Sequence, residues 1–204
     1  MRTYPDRPTD MMLGNRHAVC DRARHRQLRR AALAEHLGSR VGPAATRIAV
    51  ASWTSHDLDD WVGAIERAVR VARTPDVVLV AHSGGCWAAV SWLANRESAA
   101  RGAFLVAPPD PAFFRAAASS FTAVVPQPLE LPGLMVSSDN DPYCPPQVAE
   151  QLAADWGVPR IGVGRLGHIN SSSGIGRWDL GRALLTAFTA GLTVPATESA
   201  RRSR

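Results

Sequence analysis

Residues 76–90, with the sequence DVVLVAHSGGCWAAV, decide the fold of this chain. The β-branched run from Asp76 to Ala81 predicts a strand that is buried on both faces. A helix is predicted directly after it, and Ser83 lies at the turn in the pattern small-x-Ser-x-small. Small residues permit the sharp strand-to-helix turn on which a nucleophilic serine projects from the edge of a sheet. The alternative interpretation is an ordinary turn in which Ser83 caps the helix.

Strands and helices alternate along most of the chain, which is typical of a mostly parallel sheet flanked by helices. We therefore expect a compact α/β fold without a large cap. The N-terminal residues show no strong strand, and only one weak helix is predicted there. The predicted strands are 47–52, 76–81, 102–107, 133–138 and 160–164, and the predicted helices are 22–38, 57–72, 84–95, 145–156 and 178–190.

The length of 204 residues fits one folded domain. We expect that domain to span residues 47–192, preceded by an Arg-rich segment of uncertain fold over 1–46 and followed by a frayed tail over 193–204. The longest strongly apolar run has about six residues, whereas a membrane span needs about 20. The first 20 residues contain no apolar stretch of the kind found in secretory signals, so a cytoplasmic location is expected.

The charge of the chain is concentrated at its N-terminal end. All 23 basic residues are arginine, and the net charge is +5. Residues 1–50 hold ten arginines against four acidic residues, whereas residues 51–204 are close to neutral. A nucleic-acid-binding domain would spread basic residues over a folded face and add stacking aromatic residues, so no specific nucleic-acid partner is expected. Non-specific anion binding by the N-terminal segment remains an alternative.

The three cysteines do not suggest a metal centre or a disulfide framework. Cys20, Cys86 and Cys144 are widely spaced and form no C-x-x-C motif. Cys86 is expected to be a small buried hydrophobic residue. We expect no metal ion and no organic cofactor.

Two further strand ends carry side chains that would complete a hydrolytic site with Ser83. Asp141 follows the strand 133–138, and a carboxylate there can fix the tautomer of a histidine. His168 follows the strand 160–164 in a glycine-flanked loop and suits the role of general base. The chain order Ser, Asp, His is the order found in α/β-hydrolases. The backbone N–H of Gly84 is the candidate oxyanion-hole donor, since it follows the serine at a helix N-terminus.

Residues 47–188 resemble the compact α/β-hydrolases related to retinoblastoma-binding protein nine and to YdeN. The resemblance implies an esterase-type serine hydrolase with Ser83 as nucleophile, His168 as base and Asp141 as its orienting acid. Members of that family also begin with a strand and a His-Gly-type loop that supplies a second oxyanion-hole donor, and neither is recognisable in residues 1–46. The matching stretches are AHSGG at 81–85, VAPPD at 106–110, LPGLMVSSDNDPY at 131–143, LAADWG at 152–157 and GHINSSSGIGRW at 167–178.

Three more residues are candidates for substrate binding, each with a structural alternative. His82 could shape an acyl pocket, Trp53 could line it, and Pro108 could form part of its wall; packing is the alternative for each. The sequence thus predicts a serine hydrolase that cleaves small acyl esters, which are its expected partners. A catalytically impaired relative that binds a ligand or another protein is the alternative. Nothing in the sequence indicates an oligomeric state.

Overall fold

The structure, a computed structural model, describes residues 11–14, 45–53, 55–72, 76–94, 100–114 and 118–192. The predicted helix 22–38 and the tail 193–204 lie outside these residues, as does most of the segment 1–46. The strands are β1 (Met11–Gly14), β2 (Ala45–Arg47), β3 (Val77–His82), β4 (Ala100–Val106), β5 (Gly133–Ser137) and β6 (Arg160–Gly162). The helices are α1 (Leu58–Ala72), α2 (Gly84–Ala94), the short α3 (Pro111–Phe114), α4 (Pro146–Asp155) and α5 (Asp179–Gly191), with 3₁₀ turns at Ser119–Ala123 and Ser171–Ser173.

The six strands form one sheet in the order β2-β1-β3-β4-β5-β6. The four strands from β3 to β6 run parallel, which confirms the expected α/β fold with a mostly parallel sheet. The carboxyl ends of these strands lie at one edge of the sheet. Of the connection between β4 and β5, the described residues form only α3 and a 3₁₀ turn, so no large cap is seen there.

The N-terminal half of the sheet differs from the sequence-based expectation. The sequence shows no strong strand in residues 1–46, and a first strand was expected to be missing or degraded there. That expectation is wrong, because β1 pairs with both β2 and β3. The strand predicted at 47–52 is wrong over most of its length, because β2 ends at Arg47 and residues 48–52 form no strand. The sequence of β1, MMLG, is short and has no β-branched residue, so its pairing comes from its two neighbours and not from local propensity.

The direction of β1 was also unexpected. It is antiparallel to β3, with Met11 opposite Ala81 and Gly14 opposite Val78. The carboxyl end of β1 therefore lies at the edge of the sheet opposite to the carboxyl end of β3.

Alternate residues of the central strands face two separate apolar layers, as expected for a sheet buried on both sides. Val77, Leu79 and Ala81 pack with α1, α2 and α4. Val78 and Val80 face the other side, where α5 packs. Trp61, Trp87 and Trp92 are buried in the first layer, and Cys86 is buried with them, as predicted.

The helices that cover the sheet match the predicted ones within one residue at most ends. Helix α1 is amphipathic, and Asp57 caps it by accepting a hydrogen bond from the Asp60 amide at 3.0 Å. Helix α2 is apolar around its whole circumference because it is enclosed by other elements. Among the described residues, no helix is long and apolar enough to cross a membrane.

Candidate active site

Ser83 lies on a strained turn between β3 and α2. Its φ of +57° is in the left-handed region, which non-glycine residues rarely adopt. The turn is held on both sides, since the Ser83 amide donates to the Val106 carbonyl at 2.9 Å and the Cys86 amide donates to the Ser83 carbonyl at 2.9 Å. Such a strained conformation costs about 1–3 kcal/mol and is a recurrent feature of functional sites. The backbone thus presents the hydroxyl at the carboxyl edge of the sheet.

The structure brings the side chains of Ser83, Asp141 and His168 together in one hydrogen-bonded chain. The Nε2 atom of His168 lies 2.8 Å from Oγ of Ser83. On the other side of the ring, Nδ1 lies 2.8 Å and 3.0 Å from the two carboxylate oxygens of Asp141. Because a carboxylate only accepts, Nδ1 carries the hydrogen in the neutral ring and Nε2 can accept the serine proton. Asp141 and His168 are both buried.

The loop after β5 fixes the carboxylate of Asp141. The Tyr143 amide donates to Oδ1 of Asp141 at 2.9 Å. The neighbouring Asn140 accepts a hydrogen bond on Oδ1 from the Gly167 amide at 2.8 Å, which ties this loop to the one that carries His168. Both loops are therefore held in register by a side chain that the sequence analysis did not single out.

His168 lies in a tight turn between two residues with positive φ. Gly167 has a φ of +58° and Ile169 a φ of +49°; the second value is unusual for a β-branched residue. Ile169 is nonetheless completely buried in the layer shared with α5. On the far side of the turn, Asn170 caps the 3₁₀ turn by accepting hydrogen bonds from the amides of Ser172 and Ser173. The fold thus holds His168 in a backbone conformation that it would not adopt alone.

His82, which directly precedes Ser83, also contacts His168. Its Nε2 lies 2.9 Å from the backbone carbonyl oxygen of His168, and the two rings are 4.9 Å apart. Burial, and to a lesser extent the nearby His168 ring, lowers the pKa of His82 to about 3, against a partly offsetting hydrogen bond to the His168 carbonyl. His82 is therefore neutral at neutral pH.

Tyr143 forms one wall beside the His168 ring. Its ring meets that of His168 edge-on at 4.5 Å, and the half-exposed Phe113 packs edge-on against Tyr143 at 5.0 Å. Sequence reasoning missed both aromatic residues as neighbours of the site. Tyr143 is only two positions from Asp141, but the sequence gives no sign that its ring would turn toward His168.

Gly84 occupies the first position of α2, directly after Ser83. The first amides of a helix have no acceptor within the helix, so the Gly84 N–H is available to a negative oxygen beside Ser83. A second donor cannot be assigned from the described residues. β1 ends at the edge of the sheet opposite to Ser83, and residues 15–44 lie outside the described part of the chain.

The two remaining substrate-binding candidates occupy different positions. Pro108 is buried just after β4, at the same edge of the sheet as Ser83. Trp53 follows β2 and packs edge-on against Trp61 at 5.7 Å, with the Arg47 guanidinium 4.8 Å from its ring centre. Their roles in substrate binding remain predictions.

The cysteines and acidic residues near the site show no metal-binding arrangement. Burial raises the pKa of Cys86 far above its usual range, and burial with the nearby Asp141 and Asp110 raises that of Cys144 to about 12. Both thiols therefore stay protonated and unreactive at neutral pH. Within the described ranges, no group of three or more His, Cys, Asp or Glu side chains could hold a metal ion.

Comparisons with known proteins identify the family and the fold of the chain. Residues 34–187 match the family described as serine hydrolase. A protein from Pectobacterium atrosepticum described as a YdeN-like hydrolase is 30% identical, with a TM-score of 0.72 over 88% of each chain. The ydeN gene product of Bacillus subtilis is 18% identical, with a TM-score of 0.59 over 71% of this chain and 81% of its own.

An esterase domain from Rhodothermus marinus shares the fold, with a TM-score of 0.62, 13% identity and coverage of 78% of this chain and 81% of its own. A search of curated protein sequences gives no significant match. The family match covers most of the chain and includes every residue of the hydrogen-bonded site. The chain therefore belongs to the serine hydrolase family, with an α/β-hydrolase fold.

Proposed function

We propose that this hydrolase cleaves small acyl esters through a covalent acyl-enzyme formed on Ser83. His168 is the general base and acid, Asp141 orients it, and the Gly84 N–H stabilises the oxyanion. The observation that carries the proposal is the unbroken hydrogen-bonded chain from Asp141 through His168 to Ser83, with its serine on a strained turn. The substrate is a small molecule, and the proposed reaction calls for no metal ion and no organic cofactor.

The mechanism begins with proton transfer from Ser83 to His168. As Oγ attacks the acyl carbonyl, Nε2 takes the hydroxyl proton, and Asp141 stabilises the imidazolium without becoming protonated itself. The carbonyl oxygen becomes an oxyanion beside the Gly84 amide. Nε2 then returns its proton to the departing alkoxide, leaving an acyl group on Oγ and a free alcohol. Water activated by His168 attacks this ester and releases the acid.

Labelling with a fluorophosphonate tests the nucleophile directly. The wild type is expected to form a covalent adduct on Oγ, because the reagent needs a serine that is activated by a neighbouring base. Ser83→Ala should not label, whereas the matched control Ser55→Ala, which removes an exposed hydroxyl, should label like the wild type. Equal labelling of Ser83→Ala and wild type, or no labelling of either, would contradict the proposal.

A catalytically impaired relative that binds a ligand or partner protein is the second candidate function. One observation favours it: β1 ends at the edge of the sheet opposite to Ser83. Loss of one oxyanion donor typically lowers kcat by about 10²–10³-fold.

Turnover of a short-chain aryl ester separates the two candidates. The esterase should show repeated turnover of the aryl ester. The impaired relative should still label with the fluorophosphonate, but with the aryl ester it should form the acyl-enzyme and release the acid slowly or not at all. A burst of one phenol per protein without further product, the acyl group remaining on Ser83, would favour the second candidate.

A further inference from the structure

We infer that His82 is a positioning residue, which holds the backbone of His168 so that the catalytic ring points at Ser83. The inference rests on the proposed function and deepens it. It also assigns His82 a role different from the contact with substrate that the sequence suggested.

A hydrogen bond joins His82 to the backbone of His168. Nε2 of His82 lies 2.9 Å from the carbonyl oxygen of His168. A carbonyl oxygen only accepts, so Nε2 of His82 must carry the hydrogen and donate it. The neutral ring therefore has the Nε2–H tautomer, opposite to the Nδ1–H tautomer that the Asp141 contact imposes on His168. The two adjacent rings thus have distinct and complementary hydrogen-bonding roles.

The turn that carries His168 is strained. His168 lies between two residues with positive φ, and one of them is the β-branched Ile169. Such conformations persist only where the surroundings enforce them. Asn140 holds the Gly167 amide before the turn, and Asn170 organises the residues after it. Between them, the carbonyl oxygen of His168 accepts the hydrogen bond from His82.

The position of His82 in the sequence connects it to the nucleophile. It is the last residue of β3 and directly precedes Ser83, so its backbone belongs to the turn that carries the nucleophile. One side chain therefore links the backbone of the nucleophile to the backbone of the base across 86 positions of sequence. A change in this link would alter the distance between Ser83 Oγ and His168 Nε2.

The charge of His82 affects the protonation of His168, because the two rings are neighbours. His168 must become an imidazolium during the reaction, and its ring centre is 4.9 Å from that of His82. A protonated His82 would repel that charge and would disfavour the catalytic step. Burial and the proximity of His168, the ionisable group that acts on it, keep His82 neutral. His82 thus holds the base without opposing its protonation.

Steady-state kinetics of His82→Leu and His82→Gln on a short-chain aryl ester test the inference. Leucine has no donor, and kcat should fall by up to about 10²-fold, the effect of misplacing a catalytic group by about 1 Å. KM should change little, because a positioning residue does not touch the substrate. Glutamine can place an N–H near the same carbonyl, and it should restore much of kcat. His56→Gln, which removes a histidine that packs against Trp61, should match the wild type.

Three kinetic results would overturn the inference. A rise in KM with unchanged kcat would assign His82 to substrate binding. Equal activity of the leucine and glutamine variants would show that the donor is not required. An equal loss in His56→Gln would show that the effect is not specific to the His168 contact.

A nitrogen-15 NMR spectrum of the wild-type imidazoles keeps the inference testable if a variant does not fold. His82 is expected to show the neutral Nε2–H tautomer near pH 8, because only a ring with a hydrogen on Nε2 can donate to the His168 carbonyl. The Nδ1–H tautomer would overturn the proposed contact. This readout does not depend on turnover. Absence of fluorophosphonate labelling in the wild type would instead refute the proposed function and leave the tautomer result as the measure of the contact.

Discussion

The two halves of the sheet differ in how they relate to the active site. The parallel half, β3 to β6, supplies Ser83, Asp141 and His168 from the carboxyl ends of its strands or the loops that follow them. The N-terminal half, β1 and β2, is antiparallel to its neighbours where it pairs, and it contributes none of these three side chains. The nucleophile, the base and the orienting acid therefore all come from one part of the sheet.

The groups that would exchange the proton, Ser83 and His168, and the candidate oxyanion donor, the Gly84 N–H, all lie in the parallel half. β1 is joined to this half by its pairing with β3. Substitutions in the two halves should consequently change reactivity and stability in different ways.

The largest expected effect belongs to the orienting acid in the parallel half. Asp141→Asn should lower kcat by about 10⁴-fold, because an amide that donates to Nδ1 would stabilise the wrong His168 tautomer. The kcat of aryl ester hydrolysis measures this loss. Asp139→Asn changes an exposed neighbouring carboxylate and is the matched control, expected to keep wild-type activity. Equal losses in both variants would contradict the assignment of Asp141.

The next largest effect is a loss of stability, which should be greater for a tryptophan of the parallel half than for one beside β2. Trp87→Ala should reduce the free energy of unfolding by about 3–5 kcal/mol, since a completely buried ring is replaced by a cavity. The variant also loses the hydrogen bond from the Trp87 indole to the Pro109 carbonyl. Trp53 is half-buried beside β2, so Trp53→Ala should cost less.

Urea unfolding measures both changes, and an equal or larger loss at Trp53 would contradict the comparison. The same variant tests the predicted role of Trp53 in substrate binding. If that role is correct, KM for the aryl ester rises in Trp53→Ala while the fluorophosphonate labelling of the folded protein is retained.

A substitution in β1 tests the independence of the two halves. Leu13→Pro removes an N–H from a strand paired on both sides, and an unsatisfied ladder partner costs about 1–3 kcal/mol. Labelling of Ser83 in the folded fraction should persist, because the hydrogen-bonded chain lies in the parallel half. Leu13→Val keeps the N–H and is the control. Loss of labelling in folded Leu13→Pro would show that β1 supports the site.

The smallest effect is a pH dependence of stability due to His82. Its pKa is about 3 in the folded protein and about 6.5 in the unfolded chain, so only the unfolded chain takes up a proton as the pH falls between these values. This group contributes no pH dependence above about 6.5 and lowers the free energy of unfolding below it, by at most about 1.4 kcal/mol per pH unit.

Urea unfolding at neutral pH and near pH 5 compares the wild type with His82→Gln, in which the group is absent. The free energy of unfolding should fall less steeply in the variant. The same slope in both proteins would mean that His82 titrates in the folded state at its ordinary pKa.

Much of the parallel half could be predicted because its local signals agree with its tertiary environment. The run Val77 to Ala81 is apolar at every position, and it is buried on both faces in the structure. Ser83 was identifiable because small residues on both sides are needed for its turn. β1 could not be predicted, since its four residues have weak strand propensity and obtain their hydrogen bonds from β2 and β3.

The sequence by itself determined the α/β class, the positions of the principal helices and the three side chains that form the hydrogen-bonded site. These features follow from hydrophobic periodicity and from the order of chemically reactive residues at strand ends. Only the tertiary structure decided the direction of β1, the edge-on contact of Tyr143 with His168 and the bond from His82 to the His168 backbone. Each of these is a contact between residues far apart in the chain or a choice between pairing directions. Neither can be predicted from local sequence, because both depend on which elements pack together in the folded protein.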